Sequence, residues 1–186
     1  MDRKMNFVMI SPHFPANFET FAHRLYENGI NTLGIADTPY EQLSQGLRDH
    51  LTEYYRVDNM EDYDQVYRAV AYFAHKYGRI DRIESHNEYW LELDAHLRTD
   101  FNVFGYKNED MLSIKTKARM KEIFRKTGIK VARGRVFTST EDARALTKEL
   151  GFPVIIKPNS GVGASDTYKI KSAEELEDFF GYQNPT

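Results

Sequence analysis

The sequence predicts an α/β fold: an open, mainly parallel sheet followed by a smaller α+β piece built around a glycine-rich hairpin. Three observations carry this expectation. Short apolar, β-branched runs alternate with stretches at helical spacing through residues 6–105, the pattern of repeated strand-helix-strand units. Further on, Val154-Ile155-Ile156 and Tyr168-Lys169-Ile170 flank a run of small residues, as two strands flank a long loop. The 186 residues, 41% hydrophobic and 13% aromatic, suffice for one core and part of another, since domains commonly run ~100–150 residues.

The elements follow in order. Residues 6–10 read as a buried strand, and residues 11–15 as a loop at its carboxyl end. A helix over 17–26 turns Phe18, Phe21, Ala22 and Leu25 inward and closes at Asn28-Gly29. With a second strand over 32–36 this makes a right-handed parallel βαβ unit. Residues 40–55 read as a short helix and loop, and Val57 as the start of a small strand. The helix over 61–77 has Val66, Val70, Phe73 and Ala74 inward. A strand over 80–85 ends in Ser85-His86-Asn87-Glu88, a helix occupies 89–97 and a last short strand 102–105. Ligands of such sheets collect beyond the strands' carboxyl ends. The first strand lacks Gly-x-Gly-x-x-Gly, so a dinucleotide oxidoreductase is disfavoured: no glycines are there for the tight turn and the close pyrophosphate approach.

Residues 113–128 form a basic amphipathic helix, with Ser113 as N-cap, Ala118, Met120, Ile123 and Phe124 on the apolar side, and Gly128 as the stop. A strand and another helix follow. Gly151-Phe152-Pro153 then launches the buried strand that ends on Lys157. Beyond it the small residues 158–165 let successive N–H groups turn toward one concave site, where they can donate to phosphate oxygens while Lys157 neutralises charge. An acidic helix with Ser172 at its N-cap spans 172–180.

This order, a Lys-x-x-Met helix, Gly128-Ile129, a strand, a helix, then Gly-Phe-Pro-Val-Ile-Ile-Lys-Pro and a glycine loop, resembles the ATP-grasp superfamily. The likeness is strongest to its biotin carboxylase-like and carbamoyl phosphate synthetase-like members. The resemblance implies a Rossmann-like pre-ATP-grasp domain over 1–108, a linking helix over 109–131 and an incomplete ATP-grasp subdomain over 132–186. It also implies two phosphate-contacting lysines. Lys157 matches the second without a gap, and Lys117, three residues before Met120, matches the first, with Lys115 as runner-up. Ser160, Gly161, Gly163, Ala164 and Ser165 become nucleotide-binding loop residues, although Ala164, Ser165 and Asp166 stand where several members carry glycine. On the acceptor-substrate side, Asn87 or Glu88 either faces a substrate or caps the following helix, and His13 is a lone loop histidine able to reach one.

By the same resemblance, the γ-phosphate of ATP passes to a carboxylate or bicarbonate, and an amine or similar nucleophile attacks the acyl phosphate. ATP and Mg2+ are the implied cofactors, with the magnesium ligands expected downstream of Thr186. The 186 residues are thus expected to be an N-terminal piece of a ligase, binding ATP weakly and catalysing nothing alone. The alternative is a self-contained module that binds a small ligand or partner without chemistry. A net charge of −3 with mixed signs gives no case for nucleic acid, and zero cysteines exclude disulfides and thiolate metal sites. His86 and His96 lack a second ligand at metal-site spacing. No apolar run reaches the ~18–20 residues of a membrane span, so a cytoplasmic protein is expected, with ATP and a small carboxylate as partners. The oligomeric state stays open, a homodimer included.

Overall fold

The computed structural model describes residues 3–161 and 166–183. The chain divides into two compact units, Met1–Met111 and Leu112–Thr186. Among the described residues no helix is long and apolar enough to cross a membrane.

The first unit is the expected α/β sheet. β1 (Asn6–Ile10), β2 (Asn31–Ala36), β3 (Glu53–Arg56) and β4 (Arg82–Glu84) pair in the order β3-β2-β1-β4, every pair parallel. β1 is buried along its whole length because both faces are covered, and its side chains alternate between two cores. Val8 and Ile10 join Leu33, Ile35, Val66, Val70 and Phe73 on one side, while Phe7 and Met9 join Ala22, Leu43 and Leu47 on the other. α1 (Glu19–Glu27), entered through a 3-10 turn at Ala16–Phe18, and α2 (Gln45–His50) carry the second core. α3 (Tyr63–Tyr77), capped by Asp62, carries the first core, with Val66, Val70 and Phe73 fully buried and Ala74 packed beside them. α4 (Leu91–Asp100) follows a 3-10 turn at Glu88–Trp90, and α5 (Asn108–Lys115) comes next.

Several expectations are corrected. The third strand is Glu53–Arg56, not one starting at Val57, and it takes residues assigned to a helix and loop. Tyr54 and Tyr55 are half-buried there, and the Val57 N–H still extends the ladder to the Ala36 carbonyl at 2.9 Å. Residues 102–105 form no strand: Asn102 (φ 48) and Gly105 (φ 136) turn the chain instead. Phe21 does not point into the core but is 43% exposed, its ring lying over His86.

In the second unit, the single basic helix expected over 113–128 is broken. Thr116, extended at φ −100 and ψ 123, separates α5 from α6 (Lys117–Lys126), so Ser113 lies inside α5 and is not the N-cap. No strand forms over 129–138. α7 (Thr140–Leu150) is capped by Ser139, whose Oγ accepts from the Asp142 N–H at 3.1 Å, and it ends at Gly151. β5 (Val154–Ile156) and β6 (Tyr168–Ile170) pair antiparallel. The expected burial of β5 does not hold, since Ile155 is 56% exposed: a two-stranded sheet covers only one of its faces. β6 contacts α8 (Ala173–Gln183), which in turn contacts α7, and Ala143, Leu146, Ile170 and Leu176 are buried in this unit. Ser172 caps α8 as expected, its Oγ accepting from the Glu175 N–H at 3.2 Å, and Glu175 Oε2 accepts from the Lys171 N–H at 2.7 Å.

Candidate functional site

Two groups of side chains stand out, one in each unit. In the second unit, the loop after β5 is tied to the start of α6. The Lys117 N–H donates to the Asn159 carbonyl at 2.9 Å, and the Ala118 N–H donates to Asn159 Oδ1 at 3.0 Å. Thr116 offers no side-chain cap, so Asn159, remote in sequence, satisfies two of the donors that a helix start leaves open. Two consequences follow. Those two backbone donors are already engaged, so neither is available to an anion. The Lys117 ammonium is also carried to the loop, where Nζ reaches the Gly161 carbonyl at 3.4 Å.

Lys157 follows β5 directly and is exposed. With Asp166, Tyr168, Phe179 and Phe180 it lines a cleft of about 480 Å3. Burial, then Arg125 and then Lys157, hold the Lys121 ammonium below its ordinary pKa, so Lys121 and Lys157 share one field. Gly161 sits at φ 142, a conformation side chains rarely adopt; among the described residues a Cβ there would meet only Pro158 Cβ at 3.9 Å, so the conformation calls for glycine. Ser160 is exposed beside it. Gly163, Ala164 and Ser165 lie outside the described residues.

In the first unit the winding reverses between β1 and β4, the position at which open parallel sheets form a ligand crevice beyond their carboxyl ends. The loops there begin with residues at positive φ, Ser11 (51) after β1 and His86 (55) after β4. His13 Nε2 bonds Thr38 Oγ1 at 3.0 Å. The His86 ring stacks on Phe21 with centroids 4.2 Å apart. Burial lowers the pKa of both imidazoles, with Asp37 partly opposing this at His13, and each Nδ1 is buried without a hydrogen-bond partner among the described residues. Asn87 Oδ1 accepts from the Tyr89 N–H at 2.9 Å and so caps the turn after it, while Glu88 is exposed.

Beneath these loops lies a buried ionic group that sequence reasoning missed. Asp94 Oδ2 accepts from the Ser85 N–H at 3.0 Å and the Ser85 hydroxyl at 2.7 Å. Arg98 donates to the Ile83 carbonyl at 2.9 Å, the Tyr106 carbonyl at 3.2 Å and Glu84 Oε2 at 2.7 Å, and lies 3.6 Å from Asp94. A Cβ on Gly105 would sit 2.8 Å from Arg98 Cδ, so a glycine is needed where the chain passes over the guanidinium. Burial pushes the Asp94 carboxyl up to about 6 against the pull of Ser85 and Arg98. It raises Glu84 too, against Arg98 and Arg82. The group anchors the Ser85-His86-Asn87 loop to α4. Its only sequence signal is the Asp94/Arg98 spacing of four, which on a helix ordinarily marks a solvated pair. Asn159 gave no signal beyond a turn-forming residue.

Residues 116–183 match the family described as carbamoyl-phosphate synthase L chain, ATP binding domain. The L-arginine-specific L-amino acid ligase of Bacillus subtilis is 31% identical over 153 residues, covering 82% of this chain and 36% of that protein. Among solved structures, the biotin carboxylase domain of Hydrogenobacter thermophilus 2-oxoglutarate carboxylase, in complex with MgADP, ADP and bicarbonate, has a TM-score of 0.75 at 21% identity over 97% of this chain and 41% of its own. The L-amino acid ligase of Bacillus licheniformis has a TM-score of 0.68 at 17% identity over 96% of this chain and 42% of its own. At those identities the two structures speak for the fold. The class that these matches share with the lysine and glycine motifs is the ATP-grasp ligases. The chain belongs to the ATP-grasp superfamily. It spans 36% of the length of the B. subtilis ligase.

Proposed function

We propose that the protein is an ATP-dependent carboxylate-amine ligase in which Lys117, Lys157 and the hairpin between β5 and β6 hold the triphosphate. The observation that supports this most is local to the second unit: the Lys117 ammonium reaches the Gly161 carbonyl, only a few residues past Lys157, so two cations flank one glycine turn. The amino acid ligases among the relatives favour a carboxylate and an amine over bicarbonate as reactants.

Bound ATP would supply an electrophilic phosphorus and ADP as leaving group. A carboxylate oxygen attacks the γ-phosphorus, and the bond from phosphorus to the β,γ-bridging oxygen breaks. Lys117 and Lys157 offset the negative charge on the phosphate oxygens without forming covalent bonds, the usual protein role in phosphoryl transfer. The amine nitrogen then attacks the acyl carbon, the carbon–oxygen bond to phosphate breaks, and the nitrogen loses a proton. Magnesium is implied by the family, yet no group of three or more His, Asp or Glu among the described residues could hold a metal ion. His13, Asn87 and Glu88, on the carboxyl-end loops of the first unit, are the proposed acceptor-side residues.

Release of ADP from ATP, followed with panels of amino acids as carboxylate and amine donors, tests the reading. ADP should form only when a carboxylate is present. Turnover indifferent to every carboxylate would contradict it.

A further inference from the structure

Lys117, Lys121 and Arg125 recur at every fourth position of α6 and so share one side of the helix. The single acidic residue of α6, Glu122, is engaged by Arg119 at 2.7 Å. Lys157 adds its charge to the same field. Among the described residues, none of these four cations has a carboxylate within ion-pair distance. Backbone carbonyls serve instead: Lys117 reaches Gly161, and Arg125 Nη2 reaches the Gly134 carbonyl at 3.4 Å. Lys121 and Lys117 are the less exposed members of the set, Arg125 and Lys157 the more exposed. Lys121 is half-buried, and its Nζ lies 3.4 Å from the position a Cβ on Gly134 would take.

Gathering like charges while removing part of their water raises the free energy of the protein without ligand, and a multivalent anion relieves that repulsion. We propose that Lys121 is a third nucleotide cation, contacting the terminal phosphate oxygens alongside Lys117 and Lys157. The proposal rests on the nucleotide reading above and extends it to a residue that no motif marks. Selectivity follows directly: a cation aimed at the terminal phosphates favours ATP and is indifferent to AMP. The desolvation and repulsion at Lys121 support the same assignment, because a triphosphate draws the ammonium back to its charged form.

The test is calorimetric titration of the protein with ATP and with AMP, for the wild type and for Lys121→Gln, Lys121→Arg, Arg119→Gln and Lys157→Gln, each checked for folding by circular dichroism. Loss of one charge-assisted contact should weaken ATP binding by roughly tenfold or more in Lys121→Gln. AMP affinity should stay within about twofold, and Lys121→Arg should keep most of the ATP affinity. Arg119→Gln removes the same charge from the other side of the helix and should bind ATP as the wild type does. Unchanged ATP affinity in Lys121→Gln, with Lys157→Gln impaired, overturns the proposal and leaves the nucleotide reading standing. An equal loss in Arg119→Gln also overturns it, by reducing the effect to net charge. If neither Lys157→Gln nor Lys121→Gln alters ATP binding, the nucleotide reading itself fails.

Discussion

Asp94→Asn offers a test whose magnitude comes directly from the buried group under the β4 loop. The Asp94 residue is 2% exposed, and its second oxygen, Oδ1, is buried without a partner among the described residues. Burial moves the carboxyl from 3.8 to about 6. Between those values the native protein holds a proton that the unfolded chain has released, so the native state is favoured at low pH and loses that advantage as pH rises. The stabilisation is complete below about 4, declines through the window and is gone above about 6. At roughly 1.4 kcal/mol per tenfold, the full change amounts to about 3 kcal/mol. Asparagine keeps an acceptor for the Ser85 N–H and hydroxyl but cannot ionise, and Arg98 retains Glu84 at 2.7 Å. Glu84, also raised by burial, is present in both proteins and largely cancels from the comparison. Urea unfolding of both proteins from about pH 4 to about pH 7.5 should show the stability difference moving in favour of Asp94→Asn by about 2.4 kcal/mol, the rest of the change lying below that range. Parallel stability curves would refute the argument, because they would mean that Asp94 is ionised in the native state over the whole range.

Asn159→Ala leaves the Ala118 N–H without its acceptor, and should cost about 1 kcal/mol of stability and weaken ATP binding several-fold by loosening the helix that carries Lys117. Denaturation and nucleotide titration check the two effects, and no change in either removes Asn159 as an anchor. Phe73→Ala empties the centre of the first core, where the ring is fully buried, and should cost about 3–5 kcal/mol in urea unfolding. A loss below about 1 kcal/mol would show that the core is not closed around that ring.

The parts of the fold legible in the sequence are those in which hydrophobicity and secondary structure agree. Asn6–Ile10 and the Val66, Val70 and Phe73 face of α3 announced themselves because both sides of a parallel sheet demand continuous apolar cover. Glu53–Arg56 was missed because an edge strand needs little burial: the hydroxyls of Tyr72 and Tyr77 on α3 donate to Glu53, and the Tyr54 hydroxyl donates to the Thr38 carbonyl at 2.6 Å. The break at Thr116 was hidden by apolar spacing that runs on through it, and its cause, the docking of Asn159 on the next turn, is a contact between residues far apart in sequence. The same distinction governs the site. Lys157 and Lys117 could be named from a motif, whereas the Asp94 and Arg98 pair reads as solvated charge until packing encloses it.

A crystal structure of the protein with a non-hydrolysable ATP analogue is the most direct measurement of the central claim. The account predicts phosphate oxygens within hydrogen-bond distance of both the Lys117 and Lys157 ammonium groups, with the hairpin between β5 and β6 over them. An analogue whose phosphates lie away from that hairpin and from both lysines would contradict it.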